Sequence, residues 1–209
     1  MPSPKADNPQ PLPVSIEIDV ADPPTWNDLF GNERPVELEI GTGKAGYLLR
    51  RAQEHPETNF FGIEWANKFY KYAADRMQRW GVTNVRMCRT DASRFVRLAC
   101  PRDSLSVLHV YHPDPWPKKR HHKRRLIQRP FVDAAAACLV PGGQWRIQTD
   151  HAEYFEQIQA LLRAHPQLEE IDFNDPAYGV TGGIVETNFE IKYAREGRAF
   201  YNIAVRRKA

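Results

Sequence analysis

The sequence predicts an α/β fold in which a doubly wound, mostly parallel sheet of seven strands carries helices on both faces. Between residues 35 and 164, short β-branched and apolar runs alternate with longer runs in which apolar residues recur at helical spacing. After residue 165 the pattern ends in two strand-like runs, which predict an antiparallel C-terminal hairpin. In sheets of this kind, ligands bind at the carboxyl ends of the strands.

The bounds of the predicted elements come from periodicity and from the turn residues that interrupt it. The predicted strands are 36–40, 59–64, 85–88, 105–111, 144–148, 168–173 and 199–205. The predicted helices are 44–54, 67–80, 92–98, 123–139 and 152–164. Gly81 closes the second helix, and Pro141-Gly142-Gly143 stops the fourth.

The N-terminal stretch differs in composition from the rest of the chain. Residues 1–24 are rich in proline and polar residues, so they predict a flexible tail ahead of a single domain at 25–209. Within the tail, Val14, Ile16, Ile18 and Val20 alternate with other residues, which predicts one edge-strand contact.

The cysteine, apolar and histidine residues indicate the cellular compartment and whether a metal site is present. Three cysteines without metal-type spacing predict reduced thiols in a cytoplasmic protein. No signal peptide is evident, and no apolar run approaches the roughly 20 residues that a membrane span needs, so we expect a soluble protein. His109 and His112 lack a third convergent ligand, and we expect no metal.

Positive charge is concentrated in one segment, although the net charge is only +3. After Pro113-Asp114-Pro115-Trp116-Pro117, no acid occurs until Asp133. The cationic residues of this basic run are Lys118, Lys119, Arg120, Lys123, Arg124, Arg125 and Arg129. Such a run attracts phosphate groups, and the alternative is a solvated helix face.

Four carboxylates lie at or just after the ends of four predicted strands, namely Glu39, Glu64, Asp91 and Asp114. The turn 41–46 matches the dinucleotide-binding pattern, but an acid two residues before its first glycine does not suit an anionic pyrophosphate. S-adenosylmethionine has a sulfonium, an ammonium and a ribose diol but no phosphate, so a row of acids suits it better. Each acid also has a structural alternative: a helix N-cap for Asp91, a turn for Asp114 and an exposed strand end for the two glutamates.

Several short motifs occur in an order that resembles one enzyme family. They are 38–43 (LEIGTG), 61–64 (FGIE), 90–92 (TDA), 113–121 (PDPWPKKRH), 149–150 (TD) and 187–190 (TNFE). The chain resembles, over roughly residues 35–205, the bacterial tRNA (guanine-N7-)-methyltransferases of the TrmB type. The run 113–118 is the specific part of the resemblance. One departure is Ala45, where many members have glycine.

The resemblance implies a class I S-adenosylmethionine-dependent methyltransferase with a Rossmann-like fold, acting on the guanine at position 46 of the tRNA variable loop. It implies that the donor is bound by Glu39, Gly41, Gly43, Glu64, Asp91 and Asp114, with Asp114 also at the reaction centre. It implies guanine contacts from Lys118, Asp150, Thr187, Asn188, Phe189 and Glu190. We expect the RNA backbone to be held by Lys119, Arg120, Lys123, Arg124 and Arg125, and we expect tRNA as partner, no metal, and a monomer or homodimer without an obligatory protein partner.

Two other functions fit parts of the pattern. A non-catalytic RNA-binding module, such as the scaffold partner of a heterodimeric methyltransferase, would keep the basic run but lose the acid row or the glycine turn, and this chain retains both. A nicotinamide-dependent reductase would use the same glycine turn, but Glu39 and the lack of an evident hydride-transfer acid argue against it. Trp116 is compatible with base stacking or with simple packing.

Overall fold

The structure is a computed structural model and describes residues 14–178, 180–181, 184–185 and 199–209. Its strands are β1 (Ser15–Ile16), β2 (Val36–Ile40), β3 (Asn59–Ile63), β4 (Val85–Cys88), β5 (Leu105–Tyr111), β6 (Leu139–Thr149), β7 (Leu168–Ile171), β8 (Val180–Thr181), β9 (Ile184–Val185) and β10 (Tyr201–Arg207). The helices are α1 (Trp26–Phe30), α2 (Gly46–Glu54), α3 (Asn67–Arg79), α4 (Ala92–Leu98), α5 (Arg129–Cys138) and α6 (Ala152–Arg163), with 3₁₀ turns at Lys119–Arg124 and Pro176–Tyr178.

The main sheet has the strand order β1-β4-β3-β2-β5-β6-β10-β7. The pairs from β1 to β6 are parallel, whereas β10 pairs antiparallel with both β6 and β7. This confirms the α/β class, the mostly parallel sheet and the antiparallel C-terminal ending. The order reverses between β2 and β5, so their carboxyl ends form the crevice where such sheets bind ligands.

The predicted strand number is wrong, because the described sheet has eight strands rather than seven. The additional strand is β1, where the amide of Met87 donates to the carbonyl of Val14 at 2.7 Å. Ile16 and Ile18 then pack against the core. The edge-strand contact expected in the tail is thus present, whereas the division at residue 24 stays a prediction.

Apolar side chains fill both faces of the sheet. Leu48 of α2 and Met77 of α3 pack with β3 and β4 on one face. Phe95 of α4, Phe131 of α5 and Ile158 of α6 pack into the larger cluster on the other face. Burying one such side chain stabilises the fold by roughly 1.5–3 kcal/mol. Helices on both faces are confirmed, and no helix in the described ranges is long and apolar enough to cross a membrane.

The helix predicted from residue 123 begins six residues later, at Arg129. Pro130 explains the difference, because proline lacks an amide hydrogen and clashes with the preceding turn inside a helix, but fits its first turn. The residues before it form the 3₁₀ turn Lys119–Arg124 instead. The centre of the basic run is therefore a short 3₁₀ turn and not part of helix α5.

Candidate donor cavity and basic rim

A tight turn connects β2 to α2 at the carboxyl edge of the sheet. Gly41 and Gly43 have φ values of 77° and 53°, in the left-handed region that glycine adopts without strain. The amide of Gly41 donates to the carbonyl of Ile63 at 2.8 Å, which ties the turn to the end of β3. Ala45, the departure from the family pattern, has φ 51° and is fully buried. A non-glycine residue therefore occupies a left-handed position in this turn.

Glu64 fastens the same turn from the end of β3. Its Oε2 accepts from the amide of Gly43 at 2.8 Å, and its Oε1 accepts from the amide of Ala66 at 2.8 Å. Both carboxylate oxygens therefore accept backbone hydrogen bonds, so the side chain is oriented before any ligand binds. This buried position differs from the exposed strand end that was the structural alternative.

Glu39, near the end of β2, is more deeply buried than Glu64, with a relative exposure of 4%. Its Oε2 has no hydrogen-bond partner among the described residues. Burial, and then the charge of Glu64, raises the pKa of this carboxyl to about 8. A buried carboxyl with an unpaired oxygen is costly unless a cation or a hydrogen-bond donor completes it, so Glu39 favours a ligand with a positive charge.

Asp91 and Asp114 line the same cavity as Glu64. Asp91 is the N-cap of α4, where its Oδ1 accepts from the amide of Arg94 at 2.8 Å. The predicted capping role is thus confirmed, while the side chain remains exposed at the cavity. Asp114 is exposed in the proline-rich turn after β5 and lines the same cavity.

One cavity of about 1080 Å³ joins these residues. Its lining includes Gly41, Gly43, Glu64, Asp91, Asp114 and Trp116. The cationic residues Lys123 and Arg124 line it as well, and aromatic surface comes from Trp65 and Phe69. The structure therefore brings three of the four predicted donor-binding acids, Glu64, Asp91 and Asp114, and part of the basic run to the walls of one cavity. Glu39 is buried and does not line this cavity.

The comparisons with known proteins agree with this geometry. A family model described as "Putative methyltransferase" matches residues 33–203. A tRNA (guanine-N(7)-)-methyltransferase of Geobacter metallireducens is 31% identical over 91% of this chain and 90% of its own length. The enzyme of the same name from Alkalilimnicola ehrlichii is 36% identical over 86% of this chain and 75% of its own length. The chain belongs to the tRNA (guanine-N(7)-)-methyltransferase family.

Solved structures show the same fold at low sequence identity. The aminoglycoside resistance methyltransferase NpmB1 matches with a TM-score of 0.55 and 14% identity, over 85% of this chain and 89% of that one. S-adenosylmethionine is the cofactor of the family. The residues present fit it, because the buried Oε2 of Glu39 is an unpaired acceptor for a cationic group and Glu64 and Asp91 supply acceptors on the cavity wall. The described residues contain no cluster of histidine, cysteine and acidic side chains that could hold a metal ion.

Trp116 packs within the turn that presents Asp114 in this methyltransferase. The guanidinium carbon of Arg124 lies 5.0 Å from the centroid of its ring, and the ring of His121 contacts it edge-on at 6.0 Å. Trp116 is only half-buried and also lines the cavity. Trp116 therefore packs against neighbouring side chains, and part of its ring still lines the cavity.

The basic run divides into two groups. Lys118, Lys119, Arg120, Lys123 and Arg124 are exposed, as phosphate binding requires. Arg125 is 3% exposed, and its guanidinium is engaged by protein groups. Burial and internal hydrogen bonds argue against the expectation that Arg125 binds the RNA backbone, because a phosphate contact would have to replace these protein partners.

The predicted guanine contacts are only partly visible. Lys118 is exposed beside the Asp114 turn. Asp150 follows β6 and is half-buried, with its Oδ1 4.0 Å from Nδ1 of His112. Thr187, Asn188, Phe189 and Glu190 lie outside the described residues. Asp150 thus shares the carboxyl edge of the sheet with the Asp114 turn.

Sequence reasoning missed a buried polar network beneath the glycine turn. Glu37 accepts from Arg51 at 2.8 Å and lies 2.9 Å from Nε2 of His109. Nδ1 of His109 lies 2.8 Å from the hydroxyl of Tyr111. Although burial opposes it, contact with His109 and Arg51 lowers the pKa of Glu37. The network explains His109 as a structural residue, and alternation alone gave no sign that Glu37 faces inward.

Proposed function

We propose that this chain transfers the methyl group of S-adenosylmethionine to N7 of guanine 46 in the variable loop of tRNA. The observation that carries the proposal is the single cavity that combines the acids Glu64, Asp91 and Asp114 with an exposed cationic rim. The family membership supports the same substrate, because the relatives are named for guanine-N7 methylation of tRNA. We further propose that the chain acts as a monomer or homodimer in the cytoplasm.

The donor side of the cavity binds S-adenosylmethionine and orients its methyl group. Bound S-adenosylmethionine supplies an electrophilic methyl group on a sulfonium. Glu39 neutralises a cationic group of the donor, and Glu64 and Asp91 accept hydrogen bonds from its polar edges. Because Glu64 is already held by the amides of Gly43 and Ala66, little reorganisation is needed on binding.

The acceptor side needs no general base, because guanine N7 carries a lone pair and no proton. Asp114 is exposed on the cavity wall, so its carboxylate can accept hydrogen bonds from the N1–H and exocyclic amino group of guanine. The purine gains positive charge during transfer, and a fixed carboxylate stabilises that charge. Asp114 thereby aligns N7 with the methyl group, an effect of orientation rather than proton abstraction.

The exposed cationic residues of the basic run hold the tRNA around the site of methyl transfer. We propose that Lys118, Asp150 and residues 187–190 contact the guanine. Lys119, Arg120, Lys123 and Arg124 are exposed and bind the flanking phosphates, which makes binding strongly salt-dependent. The target base sits in folded RNA, so it must be unstacked before it enters the cavity.

Methylation of defined transcripts tests the proposal. The chain is incubated with labelled S-adenosylmethionine and either a wild-type tRNA transcript or the same transcript with adenine at position 46, and the product is mapped by cleavage at 7-methylguanine. Label only in the wild-type transcript supports the assignment. Equal labelling of both transcripts would contradict position 46, and label at a base atom other than N7 would contradict the reaction. Binding of NAD but not S-adenosylmethionine in calorimetry would favour the reductase alternative.

A further inference from the structure

Arg125 lies in the basic run but is built into the protein. Its Nε donates to the carbonyl oxygen of Pro115 at 2.8 Å, and its Nη1 donates to Oε1 of Gln157 at 2.6 Å. Its Nη2 lies 3.0 Å from Nε2 of His122 and 3.4 Å from Oε1 of Glu153. Every nitrogen of the guanidinium thus has a protein partner, and its planar fork joins α6 to the turn after β5.

Helix α6 provides a rigid base for this contact. The guanidinium carbon of Arg125 lies 4.8 Å from the centroid of the Tyr154 ring. The hydroxyl of Tyr154 accepts from the amide of Ile127 at 2.9 Å, and Nε2 of Gln157 donates to the carbonyl of Ile127 at 3.0 Å. Two α6 side chains therefore hold the backbone next to Arg125 as well as its charged group.

The turn that Arg125 supports has an unfavourable backbone. His112 and Trp116, on either side of Asp114, have φ values of 52° and 45°, which cost non-glycine residues of the order of 1–2 kcal/mol each. Such conformations persist only where surrounding contacts impose them. The bond from Arg125 to Pro115 holds the carbonyl of the residue directly after Asp114, in the peptide unit that joins Pro115 to Trp116, so it bears on the direction of the Asp114 carboxylate.

We propose that Arg125 is a positioning residue that fixes Asp114 for methyl transfer and does not bind RNA phosphate. The inference rests on the proposed function, because it assigns Arg125 a role through Asp114. A phosphate contact would require the guanidinium to leave four protein partners. The exposed neighbours in the run contact phosphate without such a cost.

Two variants and two controls separate these roles. Arg125→Ala and Arg125→Lys are compared with Lys123→Ala, an exposed cation of the same run. The matched buried control is Arg86→Ala: Arg86 is 2% exposed and its Nε donates to the carbonyl of Leu29 at 2.7 Å, away from the cavity. For each protein, kcat, tRNA Kd at several salt concentrations, donor Kd and melting temperature are measured.

Arg125→Ala should lower kcat about 10²-fold, the effect of a displacement of about 1 Å at the reacting groups. Its tRNA Kd and salt slope should stay unchanged. Lysine reaches only one of the acceptors, so Arg125→Lys should recover part of the lost kcat. Lys123→Ala should instead weaken tRNA binding and flatten its salt slope by about 1. Arg86→Ala should lower the melting temperature without lowering kcat.

Two kinetic results would overturn the proposal. A weaker tRNA Kd with a flatter salt slope and full kcat in Arg125→Ala would make Arg125 a phosphate contact. A loss of kcat in Arg86→Ala that matches that of Arg125→Ala at equal destabilisation would leave only a structural role.

Hydrogen exchange of the peptide that contains Asp114 and Trp116 decides the matter without any activity. Faster exchange in Arg125→Lys than in wild type supports the positioning role, and identical exchange contradicts it. If the wild-type protein methylates no tRNA, the proposed function fails, whereas this exchange result still stands on its own.

Discussion

Glu39 offers a quantitative test of donor binding, because burial and then Glu64 raise the pKa of its carboxyl to about 8. A cationic group binds the carboxylate form, so Glu39 must release its proton when the donor binds below about pH 8. Donor affinity should rise about tenfold for each pH unit between pH 6 and 8 and level off above that. Replacing Glu39 by glutamine removes the titrating group while keeping its size.

The size of the effect follows from burial. Removing one partner of a buried ion pair costs about 3–5 kcal/mol. At pH 7, deprotonating Glu39 one unit below its pKa costs the wild-type protein about 1.4 kcal/mol. The difference between wild type and Glu39→Gln should therefore be about 2–3.5 kcal/mol at pH 7, roughly 10²-fold in donor Kd, and larger at pH 8.5.

Calorimetry between pH 6 and 8.5, in two buffers with different heats of ionisation, measures both the Kd and the proton released. Glu169→Gln is the control, because Glu169 is only half-buried and pairs with Arg206 at 2.6 Å, away from the cavity. The control should keep the wild-type pH profile. A wild-type Kd that does not change with pH, or a Glu39→Gln variant that binds the donor like wild type, would refute the reasoning.

Without the donor, a rise in pH should lower the stability of the folded protein, whereas it raises the affinity for the donor. The folded pKa of Glu39 lies above its ordinary value of 4.5, so the unfolded chain gives up this proton first as the pH rises. The free energy of unfolding therefore falls between about pH 4.5 and 8. Glu39→Gln removes this loss, so at pH 8 its free energy of unfolding should exceed that of wild type by a few kcal/mol at most, and the variant should melt at a higher temperature. A lower melting temperature would show that the glutamine disturbs the packing.

Three further outcomes are expected. Asp114→Asn should lower kcat about 10²–10³-fold at saturating donor and tRNA, and near-full methylation would exclude a stabilising role for its charge. Arg120→Ala should reduce by about 1 the slope of log binding constant against log salt concentration for tRNA, with the donor Kd unchanged in calorimetry. An equal loss of donor affinity would indicate misfolding. Gly62→Ala places a methyl group 2.5 Å from Sδ of Met87 and 2.8 Å from Cδ2 of Leu48, so urea unfolding should show about 1–3 kcal/mol of destabilisation. An unchanged urea midpoint would mean that these side chains move aside freely.

The parallel sheet was predictable because its signals are strong and local. Strands buried on both faces read as apolar runs, and each predicted helix has its own apolar face and stop. The strands β2, β4 and β5 have the predicted bounds. The row of acids was predictable for the same reason, since parallel strands deliver their carboxyl ends to one edge.

The short elements depended on tertiary contacts that no local window contains. Strand β1 has two residues and exists through its pairing with β4. Helix α1 has five residues, although its capping box is readable in the sequence: Thr25 accepts from the amide of Asp28, and the carboxylate of Asp28 accepts from the amide of Thr25. That motif predicts where a helix begins, but its five residues give no helical periodicity to support it.

Arg124 and Arg125 show where a charge pattern stops being informative. The two residues are adjacent and chemically identical, and the sequence predicted the same RNA-binding role for both. In the structure Arg124 is exposed over Trp116, whereas Arg125 turns inward to Pro115 and Gln157. Replacing both arginines together would mix a change in phosphate binding with a change in the Asp114 turn. Single replacements separate them, because only a cation that releases counterions on binding alters the salt slope.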